Sequence, residues 1–108
     1  MTQVIYEYMA VVRSIETNWG EIASFPPSER PEVEYEISWE LWWPNATEAE
    51  WRSDDTTMTA LFTELGRDGW RLVTSNVLDS TIAPTGYGWP EAGIPVRERW
   101  IFLREVPT

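Results

Sequence analysis

The stretch Met58-Thr59-Ala60-Leu61-Phe62-Thr63-Glu64-Leu65-Gly66-Arg67-Asp68-Gly69-Trp70-Arg71-Leu72-Val73 reads as a helix, a hard stop and a strand. Met58, Leu61, Phe62 and Leu65 fall at i, i+3, i+4 and i+7, which is one stripe of an α-helix. Burying such a stripe is worth about 1.5–3 kcal/mol per side chain, so it is the natural seed of a core. Gly69 stands where a left-handed residue ends a helix at no steric cost, and Trp70 occupies the position whose side chain folds back on Leu65. The spacing predicts a helix over 55–67 and a strand over 70–78. Ser53, Asp54 and Asp55 offer an N-cap and negative charge at the helix's positive end. Gly66 is expected to let helix and sheet backbones approach.

Working outward toward the start, residues 4–15 are rich in β-branched and aromatic side chains and read as a first strand. Its two faces are Tyr6, Tyr8, Ala10, Val12 and Ile5, Glu7, Met9, Val11. Apolar groups on both sides point to an interior strand with one side only partly covered. Gly20, Pro26, Pro27 and Pro31 break regular structure over 18–31, and Trp19, Ile22 and Phe25 are the side chains able to pin that arm down. Residues 32–43 alternate cleanly: Val33, Tyr35, Ile37, Trp39, Leu41 and Trp43 on one face, Glu32, Glu34, Glu36, Ser38, Glu40 and Trp42 on the other. This period of two is that of a half-buried strand with an acidic outer face, among whose carboxylates Trp42 points out. Pro44 ends it. Thr47 and Glu50 have capping-box spacing, which predicts a short helical turn over 47–51. Asn45-Ala46-Thr47 matches a glycosylation acceptor, read as chance in the absence of a secretory signal.

Working outward toward the end, residues 79–95 hold three Gly and three Pro, a long loop with Tyr87 and Trp89 at its tip. A loop of that size in a compact domain is either functional or disordered, and the aromatic tip favours a role in contact. Residues 97–106 read as the closing strand.

Three segments carry a family resemblance: Tyr6-Glu7-Tyr8, Leu61 to Val73, and Phe102-Leu103-Arg104. Together they resemble the domain-of-unknown-function 4177 family of small bacterial and phage domains. Its pattern is an aromatic-Glu-Tyr strand, then Leu-x-x-Leu-Gly-x-x-Gly-Trp-x-Leu-Val, then a Phe-x-Arg strand. The resemblance covers about half of the chain. This sequence departs from the pattern by an insertion at about 16–52 and by the loop at about 79–95. The family has no assigned activity, so the resemblance implies a fold and no chemistry.

At 108 residues the chain is expected to be one domain, long enough to bury about two thirds of its unfolded surface without staples. There is no Cys, no His and no Lys, so all eight basic residues are Arg. That removes disulfides, thiol nucleophiles, Schiff-base chemistry, the commonest general base and zinc sites built from His or Cys. Gly66-Arg67-Asp68-Gly69 lies at a helix end, where the dipole opposes an anion, so it is no phosphate cradle. Carboxylates remain. Glu34, Glu36 and Glu40 share a strand face, with neighbours two apart separated by about 7 Å, a spacing open to an acid–base pair or a hard cation. The competing reading, a solvated face that discourages aggregation, is favoured because nothing else in the sequence builds a cleft there. The start lacks a basic region followed by an apolar core, and no apolar run approaches a membrane span, so a cytoplasmic or virion location is expected.

Net charge is −10, with eleven of the eighteen acids between Glu16 and Asp55 against Arg30 and Arg52. Such a surface repels phosphate backbones and disfavours direct nucleic-acid binding, while favouring solubility or mimicry of DNA. Tryptophan is the anomaly, with eight in the chain. Trp39, Trp43, Trp70 and Trp100 fit a core by strand phase or helix-stop position. Trp42, Trp51 and Trp89 have no such place, and exposed aromatics are the currency of interface hot spots.

The expected fold is α+β: an antiparallel sheet of about four strands with one main helix packed on one face, in the order β-β-α-β-β. The strand over 32–43 is expected to pair with a sheet neighbour or with another copy of the chain. The expected function is a non-enzymatic protein-protein interaction module without cofactor or metal, self-associating or docking on a larger assembly such as a phage virion or a host target. Its contact candidates are Trp42, Trp51, Tyr87, Trp89, Glu36 and Glu40. A DNA mimic that occupies a nucleic-acid-binding protein is the first alternative, and carbohydrate or small-ligand binding through exposed Trp is the second.

Overall fold

A computed structural model describes residues 3–17, 21–22, 24–29, 31–32, 34–53, 56–81 and 94–106. Its strands are β1 (Tyr6–Thr17), β2 (Tyr35–Trp42), β3 (Glu50–Arg52), β4 (Arg71–Thr81) and β5 (Ile94–Glu105). Helix α1 (Met58–Arg67) lies between β3 and β4, and a 3-10 turn occupies Pro27–Glu29. All strand pairs are antiparallel, in the spatial order β3-β2-β1-β5-β4. The architecture is α+β, as the hydrophobic patterns require.

Two details correct the expected order. The sheet has five strands, and chain order runs strand, strand, strand, helix, strand, strand. The extra strand is β3, where Thr47 to Trp51 had the spacing of a capping box. A tight turn takes precedence there: the Ala46 amide donates to the Trp43 carbonyl at 3.1 Å across Pro44-Asn45, and Asn45 has φ 61°. Pro followed by a residue with positive φ is the signature of a type II turn, which reverses the chain and lays Glu50–Arg52 against β2. The stretch at 16–52 thus supplies β2 and β3 to the sheet itself. As a consequence β2 is interior, paired with β1 and β3, and the sheet edges are β3 and β4.

The helix begins later than its acidic prelude implies. Thr57 is the N-cap, its hydroxyl accepting from the Ala60 amide at 3.1 Å. At the other end Gly69 has φ +89°, the Gly69 amide donates to the Gly66 carbonyl and the Trp70 amide to the Leu65 carbonyl. That pair of bonds is a Schellman motif, and it aims Trp70 into the same buried cluster as Leu65. Gly66 does not serve close approach: a methyl group placed on it meets no atom within 4 Å.

The core lies between α1 and one face of the sheet. Met9 and Val11 from β1, Trp39 and Leu41 from β2, Trp100 and Phe102 from β5, and Trp70 pack with Leu61 and Leu65. Met58 and Phe62 complete the helix stripe, half-buried against it. The Phe62 ring stands edge-on to Phe102, Trp100 and Trp39, with centroids at 5.1, 5.5 and 6.4 Å. Such edge-to-face contacts add to the area term. The molecule is elongated, 69 × 24 × 24 Å. Ten helical residues span about 15 Å, whereas a strand of twelve spans about 40 Å. One short helix therefore covers only part of one face.

Candidate functional site

Antiparallel partners share a face, so the register sorts every strand residue onto the helix side or the far side. On β1, Met9, Val11 and Arg13 stand beside Phe102, Trp100 and Glu98 on the helix side. Tyr6, Tyr8, Ala10 and Val12 stand on the far side, in line with Glu105, Leu103, Ile101 and Arg99. From β2 the far side receives Glu36, Ser38, Glu40 and Trp42, and from β3 Trp51, which pairs with Glu40. Four aromatic residues on this far side keep much of their surface in solvent: Tyr8 (59 %), Tyr6 (46 %), Trp42 (37 %) and Trp51 (64 %). Ala10, Ile101 and Leu103 lie among them, half-buried.

The centre of this face is better covered. Val12 is buried there. Of the side chains able to pin down the arm over 18–31, Ile22 is buried and Phe25 exposed, while Trp19 lies outside the described residues. Glu40 is 8 % exposed, the one buried charged residue among those described. Its carboxylate accepts from the Trp42 indole N–H at 3.0 Å, and the Arg97 guanidinium lies 3.8 Å away. A buried carboxylate needs such partners, since desolvation without compensation costs several kcal/mol. The indole of Trp42 is thereby fixed in orientation, with its ring on the surface.

Of the expected contact residues, Trp42, Trp51 and Glu40 are brought together. Glu36 is exposed some distance along the strand, opposite Glu16 of β1. Tyr87 and Trp89, with most of the expected loop, lie outside the described residues; the strands on either side reach further than the loop boundaries predict, to Thr81 and from Ile94. Sequence reasoning passed over Tyr6 and Tyr8. Their alternation was visible, but which side of β1 the helix would take was not.

The acidic stripe is interrupted as a uniform array. Glu40 is tied down by Arg97, and Arg99 stands on the same face in register with Val12.

The first strand, the end of α1 and the last strand meet at one corner. Arg104 donates to the Glu7 carboxylate at 2.5 Å and to the Asp68 carbonyl at 3.2 Å, and its guanidinium lies 4.3 Å from the Trp70 ring centroid. One arginine thus joins the first strand, the helix end and the last strand, a structural role. An open depression beside it is lined by Asp68, Gly69, Arg71, Arg104 and Glu105. A second guanidinium, Arg13, pairs with Glu98 at 3.0 Å and lies 5.8 and 5.4 Å from the rings of Trp39 and Trp100. Both arginines are held by carboxylates and aromatic faces, which is how such a cation is stabilised when half-buried. Among the described residues no group of three His, Cys, Asp or Glu is placed to hold a metal ion, and no helix is long and apolar enough to cross a membrane. Compared with known proteins, the chain matches no family model, no curated protein and no solved structure.

Proposed function

We propose that this chain is a non-enzymatic protein-protein interaction module that works through the sheet face turned away from α1. The observation that carries the proposal is the cluster of Tyr6, Tyr8, Trp42 and Trp51, four large exposed aromatics gathered on one face. Singly exposed aromatics are ordinary, but a contiguous set is what protein interfaces are built around, because rigid rings bury much area at little entropic cost. The lack of His, Cys and Lys agrees with binding in preference to bond-making chemistry. The resemblance to small bacterial and phage domains leads us to place it as a phage structural or host-interaction protein.

The test compares the chain with a Trp42→Ala/Trp51→Ala double variant by cross-linking in cells that express it. The expected result is that cross-links from the native chain map to the aromatic face and that the double variant loses most of them. Identical patterns from both proteins would overturn the proposal.

A further inference from the structure

We infer that strand β4 pairs with β4 of a second copy of this chain, forming a two-fold dimer with a continuous ten-stranded sheet. The inference rests on the reading above insofar as the partner is another protein chain, and it names that partner. It concerns a different surface.

β4 is a sheet edge, hydrogen-bonded on one side to β5. The other edge, β3, has only three residues. β4 has eleven, with neither Pro nor Lys, and Arg71 through Ser80 are all exposed. Leu72, Val73, Val77 and Leu78 are exposed among them. An edge of this kind presents free N–H and C=O groups and apolar side chains together, and ordinarily needs a cover.

The order of residues along the strand says which cover fits. Laid antiparallel on itself about Ser75, the segment Arg71-Leu72-Val73-Thr74-Ser75-Asn76-Val77-Leu78-Asp79 is self-complementary. Arg71 falls opposite Asp79 of the second copy, Leu72 opposite Leu78, Val73 opposite Val77 and Thr74 opposite Asn76. Opposite charges meet at both ends and apolar residues meet between them, which is the isologous arrangement a two-fold axis demands. The faces agree as well. Arg71 pairs with Leu103 and Asp79 with Arg97, and through β1 those lie level with Tyr8 and Ser14, both on the far side. Among the described residues neither Arg71 nor Asp79 is engaged in an ion pair. The register shifts between β4 and β5 fall at Val73, at Leu78 and between Asp79 and Ser80, leaving Thr74–Val77 as a regular central segment on which the two copies pair. A two-fold axis normal to the sheet also puts both aromatic faces on the same side, so the dimer would present that surface twice.

The experiment is sedimentation velocity and native mass spectrometry of the full chain over a wide concentration range, with Arg71→Asp, Asp79→Arg and the double swap. The native chain is expected at twice the 12.6 kDa of a monomer. Each single reversal replaces two attractive pairs by two repulsive ones and should weaken the dimer at least about tenfold, while the double swap restores it. Amide hydrogen exchange supplies a second measurement: alternate amides within Thr74–Val77 should gain protection as concentration rises. A native chain that stays monomeric, or a dimer indifferent to both single reversals, overturns the inference. Either outcome leaves the aromatic-face proposal to its own test, because Trp42 and Trp51 are not on β4.

Discussion

The two faces of the sheet use the same kind of residue to opposite ends. On the helix side Trp39, Trp70 and Trp100 are buried, and Phe62 links two of them into one set of edge-on rings. On the far side Trp42 and Trp51 present their rings to solvent beside Tyr6 and Tyr8. Trp42 and Trp43 are adjacent in the chain, yet Trp43 packs against the core, its ring centroid 6.4 Å from that of Trp70. What separates these fates is strand parity and the reach of one short helix, since tryptophan occurs on both sides. The stability of the fold is therefore concentrated on one face, leaving aromatic surface on the other exposed to solvent.

The largest effect that would break this contrast is Trp39→Ala. It removes a fully packed ring and the bond from its indole N–H to the Thr56 carbonyl at 3.0 Å. Unfolding stability should fall by about 3–5 kcal/mol, against no more than about 0.5 for Trp51→Ala on the far side. Urea titrations followed by circular dichroism measure both. Comparable losses would mean that the far face is also structural.

The helix end gives the next effect. Gly69→Ala forces a side chain into positive φ with nothing nearby to clash, so its cost is conformational, about 1–2 kcal/mol. Gly66→Ala should move stability the other way by about 0.5–1 kcal/mol, because a methyl group there meets open space inside a helix. Thermal melts of the two variants should shift in opposite directions. A destabilised Gly66→Ala would restore the close-approach role that the sequence suggested for it.

Those two glycines also show how far the chain could be read. The helix stripe, the Gly69 stop, the inward turn of Trp70 and the alternation of Ile37, Trp39, Leu41 and Trp43 are local patterns, and local patterns are legible because period and backbone sterics act within a few residues. Gly66 was misjudged because its role depends on what lies opposite, a long-range fact. The same limit hid β3: Thr47 and Glu50 fit a capping box, but the turn at Pro44-Asn45 had already sent the chain back along β2. Edge positions were equally invisible. Nothing in the composition of β4 says that one flank is unpaired, since spatial strand order is fixed by pairings such as Val11 with Leu41 and Trp100. For the candidate site, Trp42 and Trp51 stood out as aromatics without a core position, whereas Tyr6 and Tyr8 awaited knowledge of which face the helix would take.

The smallest effect concerns how β3 is held between the two faces. Trp51 points to the far side, while its neighbour Arg52 lies level with Trp39 on the helix side and reaches α1. Its guanidinium grips both Glu64 oxygens at 2.7 and 3.2 Å and Glu50 at 2.9 Å. The hydrogen bond from Arg52 holds the Glu64 carboxyl below its ordinary value of 4.5. A carboxylate depressed on folding contributes stability above its unfolded pKa and loses it as pH falls through the folded one. The tie should thus be intact at neutral pH and loosen only below about pH 4.5, with a small effect on global stability because Glu64 is largely exposed. Amide exchange of Glu50–Arg52 is the sensitive readout: protection should drop in acid in the native chain and be low and nearly pH-independent in Glu64→Gln. If the variant keeps the native acid response, the edge bearing Trp51 is held by its backbone pairing to β2, and the far face owes nothing to the helix at that edge.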